Sequence, residues 1–182
     1  KIKYMFPKAH AAAYVTNAFR IAWFKVHIPL AYYAAYYSIR AKAFDASYMI
    51  FGKEKVKNKM KEIEMKNQKK EATKAELDMY DDLEIVLEMY ERGFEFLPVD
   101  IYESEASKFK IQDNKLRPPL NSIPGFGTVA AQGIVNARKD GKFMSIDDLK
   151  IRAKIGSSGA DLLKEFGCLE GMSQSNQLSL FG

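Results

Sequence analysis

The chain has 182 residues, 47% apolar and 28% charged, with 6 Pro and 11 Gly, a composition that excludes disorder over the whole length and any collagen-like or fibrous class. Cys168 is the single cysteine and only His10 and His27 accompany it, which excludes a disulfide framework and leaves no plausible zinc cluster. The formal charge of +5 is unevenly laid out, with nets of +6 over residues 1–52, +5 over 53–74, −10 over 75–105 and +4 over 106–182, so an anionic partner is to be sought at the two ends.

The chain opens on Lys1 without an initiator Met, which reads as a fragment or processed piece. Lys8, His10, Asn17 and Arg20 interrupt any signal-like apolar run. No stretch approaches roughly 18 uninterrupted apolar residues, and a cytoplasmic location with no membrane partner is the expectation. From Ala9 to His27 the sequence is Ala-rich and aromatic, with no Gly or Pro before Pro29. That predicts a helix buried largely all round, because Tyr14, Phe19, Trp23 and Phe24 do not share one narrow stripe. Pro29 suits the first turn of a second helix, which carries Tyr32, Tyr33, Tyr36 and Tyr37 and ends near Arg40. The tyrosines read as helix–helix packing with hydroxyls at the rim; the alternative is a stacking platform for bases.

Gly52 opens a Lys-rich segment to Lys74, with nine Lys and few apolar residues. It reads as a solvated helix face or connection, or else as a phosphate-contacting surface. Thr73-Lys74-Ala75-Glu76 is a capping box, and Leu77, Tyr80, Leu83, Leu87 and Tyr90 follow at helical spacing until Gly93. The acids at 76, 78, 81, 82, 84, 88 and 91 fall mainly on the other face and read as a solubilising surface. Beyond Gly93 the period changes. Phe94, Phe96 and Val99 suggest an extended passage, and Phe109 to Leu116 reads as a short β-hairpin over an Asp113-Asn114 turn. Charge sign and periodicity both change at 93–100, the expected domain boundary.

The stretch Ile123-Pro124-Gly125-Phe126-Gly127-Thr128 carries the clearest mechanism. Two glycines one residue apart make a tight turn whose consecutive N–H groups, with the N-terminal dipole of the helix that follows, form a phosphate cradle. Phe126 or Val129 would pack the turn on its helices. Gly133 sits inside that second helix, where it costs about 1 kcal/mol relative to Ala. The pattern resembles the hairpin of the helix-hairpin-helix family, which grips DNA backbones without reading bases. A degenerate second copy follows: Ser145 caps a helix, and Ile155-Gly156-Ser157-Ser158 is its hairpin, without a clean Gly-x-Gly. The tail turns polar from Ser173 and ends Gln177-Leu178-Ser179-Leu180-Phe181-Gly182. It resembles the short peptide by which bacterial replication proteins dock on the β sliding clamp, Leu180 and Phe181 filling an apolar pocket while Gln177 hydrogen-bonds.

Together with Lys3-Tyr4-Met5-Phe6-Pro7-Lys8-Ala9-His10-Ala11-Ala12-Ala13-Tyr14, the run Arg20 to His27 and Phe166-Gly167-Cys168-Leu169-Glu170-Gly171, these motifs make the whole chain resemble the C-terminal part of PolC-type bacterial DNA polymerase III α subunits. The resemblance implies a mainly α fold: the end of the fingers over 1–95, a helix-hairpin-helix duplex-binding domain with a short β-hairpin over 96–172, and a flexible clamp-binding tail over 173–182. It implies DNA-directed DNA polymerase activity in the parent, with Mg2+ held by palm carboxylates outside this chain, no cofactor within it, and no polymerisation by this part alone. It places Lys8, His10 and Tyr14 near the triphosphate or templating nucleotide. Gly125, Gly127 and Thr128 would hold a duplex phosphate, helped by Arg138 and Lys142. Gln177, Leu178, Leu180 and Phe181 would bind the clamp. The implied partners are primer–template duplex, the β sliding clamp and other replisome subunits. The rivals are a free-standing helix-hairpin-helix module of a repair or recombination protein, whose residues 1–92 would be self-sufficient, and a small enzyme in its own right, for which no nucleophile–base arrangement is present.

Overall fold

Chain breakers and capping sequences divide the molecule into its elements. In the computed structural model, which describes residues 7–175, α1 (Lys8–His27) ends where Ile28 leaves the helical region at φ −135°, and Pro29 begins α2 (Pro29–Ile39). Proline suits that first turn because its missing N–H would have had no helical partner. A single turn, α3 (Ala46–Met49), follows; Asp45 caps it by accepting from the Ser47 amide at 2.8 Å. It is too short to leave a periodic signal in the sequence. Gly52, at φ 99°, then turns the chain into α4 (Lys53–Gln68).

The Lys-rich segment is thus a helix, and it is held by its few apolar residues. Val56 and Ile63 are fully buried against α5 (Lys74–Glu91), which starts on the expected capping box: the Thr73 hydroxyl accepts from the Glu76 amide, and Glu76 accepts in return from the Thr73 amide at 2.8 Å. The opposite charges of the two helices meet. Lys66 pairs with Glu76 at 2.6 Å, and Lys53 and Lys57 both reach Glu91. The Lys66 ammonium and the Thr73 amide hold the Glu76 carboxyl down at about 2, while the Glu64 carboxylate pushes the Tyr80 phenol up to about 12. Seven acids along α5 therefore do more than solubilise it. Asp82 is buried, and accepts from the Lys42 and Ala43 amides at 2.9 and 2.8 Å and from the Tyr36 hydroxyl. It ties the α2–α3 loop to α5. Burial raises its pKa, and the two amides offset part of that rise.

Two apolar cores result. The first gathers Leu30, Tyr33 and Tyr37 of α2, Val56 and Ile63 of α4, and Leu83, Val86 and Met89 of α5, with Phe96, Phe109 and Leu116 from the chain beyond. The tyrosines pack as expected, but their hydroxyls find protein partners: Tyr33 donates to Glu88 at 3.1 Å and Tyr37 to the Met89 sulfur. The two-residue Asp113-Asn114 turn, both residues left-handed, joins β1 (Lys110–Gln112) to β2 (Lys115–Arg117) in antiparallel register with Ile111 opposite Leu116. Both residues tolerate that conformation through their short polar side chains. Because Phe96, Phe109 and Leu116 belong to the first core, side-chain packing runs across residue 95. The second core lies mostly in the region after Pro119 but also takes in Ala46, Val99, Ile101 and Ala106, and Phe44 and Ile50 touch both cores.

One helix departs from expectation. α1 buries none of its residues: Tyr14, Phe19 and Val26 are 68%, 73% and 66% exposed, and Trp23 and Phe24 about half. Among the described residues α2 is the main helix packed against it, and one helix cannot cover apolar residues on every side of another.

Candidate nucleic-acid interface

The second core is built from α6 (Thr128–Ala137), α7 (Ile146–Ala153) and α8 (Ser157–Glu165), preceded by a 3-10 turn at Leu120–Ser122. Leu120, Ile123, Phe126, Ala131 and Ile134 come from one half, and Leu149, Ala153, Ile155, Ala160 and Leu163 from the other. Each half bends its chain in the same way. In the first, Gly125 is left-handed at φ 78°, Phe126 is buried and Gly127 is the extended residue that opens α6. In the second, Lys154 is left-handed at φ 54°, Ile155 is buried and Gly156 opens α8. The second hairpin therefore begins one residue earlier than its sequence suggests. It was hidden because a lysine stands where its counterpart has glycine.

The two halves also interlock through equivalent positions. Leu162, five residues into α8, lies 3.4 Å from where a Cβ on Gly125 would be. Gly133, five residues into α6, lies so close to the end of α7 that a Cβ there would meet the Ala153 carbonyl oxygen at 2.2 Å. This corrects the view of Gly133 as a plain helical cost: the close approach of α6 to α7 requires it. Each hairpin is in this way braced by the other half.

At the exposed tips, α6 and α8 both open on glycine, and no side chain caps their first-turn amides. By contrast α7 is closed: the Ser145 hydroxyl accepts from the Asp148 amide, and the Ser173 and Gln174 carbonyls accept from the Ile146 and Asp147 amides at 2.9 and 3.1 Å. First-turn amides with nothing over them, at the positive end of a helix dipole, are a ready anion site. Pro124, Gly125, Gly127 and Thr128 are exposed around the first tip, as are Lys154, Gly156, Ser157 and Ser158 around the second. The Asn121 amide donates to the Thr128 hydroxyl oxygen at 3.2 Å, which leaves the Thr128 proton to point elsewhere. A cleft of about 480 Å³ runs beside the first tip, between it and Ala43, Phe44, Asp45 and Met79.

The expected site residues fare differently. Phe126 is the residue that packs the first hairpin, whereas Val129 is 89% exposed. Lys142 is exposed near the junction of the halves. Arg138 is turned inward: its guanidinium donates to the Ile101 and Ser104 carbonyls at 3.0 and 2.6 Å, and its side chain is only 14% exposed. It fastens the 100–105 loop instead of projecting a charge. Arg152, which the sequence did not single out, does the same for the connection between the halves, donating to the Ala137, Gly141 and Lys142 carbonyls and lying over the Phe143 ring. Sequence pattern shows an arginine near a hairpin but not which way it points. At the other end of the molecule, Lys8, His10 and Tyr14 are exposed on α1, with the His10 and Tyr14 rings 4.5 Å apart. Gln177, Leu178, Leu180 and Phe181 lie outside the described residues. Cys168 is half-buried, its thiol donating to the Val99 carbonyl at 3.4 Å and pushed by burial up to about 12. No group of three or more His, Cys, Asp or Glu among the described residues is placed to hold a metal ion, and no described helix is long and apolar enough to cross a membrane.

Comparison with known proteins agrees with this geometry. Residues 93–178 match the helix-hairpin-helix motif family. Along all of its length the chain resembles proteins named DNA polymerase III PolC-type: 50% identical over 181 residues to that of Caldanaerobacter subterraneus subsp. tengcongensis, 49% over 182 residues to that of Clostridium perfringens, and 50% over 181 residues to that of Oceanobacillus iheyensis. The chain covers 13%, 12% and 12% of those relatives, so it spans about an eighth of their length.

Proposed function

We propose that this chain, a relative of PolC-type DNA polymerase III over its whole length, is the part of a bacterial replicative polymerase that grips the primer–template duplex and docks on the sliding clamp. The observation that carries the reading is the pair of hairpins with one shared backbone course, each opening a glycine-started helix whose first amides have no side-chain cap. Phosphate oxygens of the duplex are suitable acceptors for those amides, and such contacts carry no base information. Gly125 and Gly127 let a backbone approach closely, the Thr128 hydroxyl adds a donor, and Lys142 supplies charge. Arg138 and Arg152 work behind them by holding the loops that carry the tips. Sequence-independent grip is what a polymerase needs as it moves along arbitrary DNA.

The longer polymerase would extend a primer 3′ end with deoxynucleotides in the cytoplasm. Mg2+ bound there to palm carboxylates supplies metal-ion catalysis; the residues described here offer no donor set for it, and no chemical step is assigned to them. Lys8, at the first residue of α1, places a cation at the positive end of a helix dipole, an arrangement an incoming phosphate would relieve. His10 and Tyr14 accompany it on the nucleotide or template side. Beyond Ser173 and Gln174, which are tied to the start of α7, Gln177, Leu178, Leu180 and Phe181 would bind the β clamp, and other replisome subunits complete the assembly. Identity across residues 1–92 as well as the hairpin unit favours this reading over a free-standing repair module.

Replacing Gly127 by Val, at φ −71°, closes the phosphate approach without backbone strain. It should weaken duplex binding by a similar factor on unrelated sequences in a salt titration. An unchanged affinity and salt slope would overturn the grip. Removing residues 177–182 should abolish clamp binding in a titration with purified clamp, and unchanged affinity would overturn the docking role.

A further inference from the structure

The exposed apolar surface of α1 has no counterpart among the other described residues. Val15, Phe19 and Val26 lie along one side of the helix, and Ile21 and Phe24 along another, all at least half exposed. Between α1 and α2 runs an apolar groove of about 790 Å³, lined by Ile21, Phe24, Tyr32, Tyr36 and Ile39 with Arg40 at its edge. The helix is tied down at its C-terminal end. Lys25 pairs with Glu88 at 2.6 Å, the Tyr33 hydroxyl donates to the same carboxylate, and the Arg92 guanidinium donates to the Lys25 carbonyl at 2.8 Å. Toward Lys8, α1 buries nothing.

We infer that α1, held at its C-terminal end by the Lys25–Glu88–Arg92 cluster, is covered on its free sides by the polypeptide that flanks this segment in PolC-type chains. Three observations select that occupant. A helix apolar all round belongs in a protein interior, whereas a helix lying on a membrane has one apolar face and one polar face. Residues 7–44 contain Lys8, Arg20, Lys25, Arg40 and Lys42 and no acid, so two copies of this surface would meet with like charges. The relatives carry about seven-eighths of their length outside this segment, which is ample chain to enclose a helix on several sides. The inference rests on kinship with those longer chains and is independent of the duplex grip.

The test uses Phe19→Cys and, separately, Val26→Cys, each made in the 182-residue chain and in the full-length polymerase that contains it. Maleimide labelling is followed by mass spectrometry of the peptide bearing the new thiol. Cys168, its thiol pushed up to about 12 by burial, reacts slowly and serves as an internal reference. Labelling at 19 and 26 should be fast in the short chain and at least about tenfold slower in the long one, as burial withdraws a thiol from reagent. Equal rates in the two would overturn the inference. So would protection in the short chain that grows with protein concentration, the mark of a second copy, or protection that appears on adding anionic lipid vesicles.

Discussion

The two hairpins follow one backbone course with different side chains, and the difference separates what the turn requires from what it only permits. Both need a left-handed residue, then a buried apolar one, then an extended glycine at the helix start: Gly125-Phe126-Gly127 in one and Lys154-Ile155-Gly156 in the other. The first position accepts lysine in place of glycine, although an L residue there costs roughly 1–2 kcal/mol. Position 154 thus gains a charge at the tip in exchange for strain. The third position is glycine both times, with open space where a Cβ would stand. Packing therefore does not demand glycine at 127 and 156; a close approach from outside gives it a reason.

Five substitutions press on this comparison. The largest effect is expected at the buried second position. Phe126→Ala should cost about 3–5 kcal/mol in a urea melt, and Ile155→Ala about 2–5. If one is neutral, that hairpin is not held by its middle residue and the equivalence fails. Next is Gly133→Ala. Helix propensity alone predicts a gain of about 1 kcal/mol, whereas the Ala153 carbonyl 2.2 Å from the new Cβ predicts a loss of about 1–3 kcal/mol from overpacking. The sign of the change in melting temperature decides between them. The smallest stability effect is at the first position. Gly125→Ala should destabilise by about 1 kcal/mol, but Lys154→Gly should change stability by less than about 0.5 kcal/mol, as relief of strain offsets the added freedom of the unfolded chain. Lys154→Gly should instead lower the salt slope of duplex binding by about 1. A full loss of stability without a change in slope would make Lys154 a structural residue.

Much of the fold was legible because local rules act over a few residues. Pro29, the Thr73–Glu76 capping box, the Ser145 cap and the Asp113-Asn114 turn each appear where the sequence predicts them. The first hairpin was legible for the same reason, since Gly-x-Gly has a local consequence. The second was only half visible, because the left-handed conformation of Lys154 is imposed by its surroundings. Arg138 and Arg152 were illegible in role. A guanidinium reaches several ångströms from its Cα, and the carbonyls it finds come from residues 101 and 104 in one case and 137, 141 and 142 in the other. Asp82 reads as surface because α5 carries seven acids, and nothing local distinguishes the one that faces the Lys42 and Ala43 amides.

By itself, then, the sequence determined the helical architecture, the positions of its caps and turns, the Gly-x-Gly turn at 125–127 and the resemblance to PolC-type chains. These depend on backbone preferences and short motifs, which neighbours distant in sequence seldom overrule. Tertiary structure alone decided which charges face inward, why a helix tolerates Gly133, that Lys154 stands in for a glycine, and that α1 has its apolar residues uncovered. Burial, close approach and ion pairing depend on which elements meet. An apolar helix signals only that it needs covering; how much of that cover this chain provides is settled by what packs on it, and here α2 is not enough.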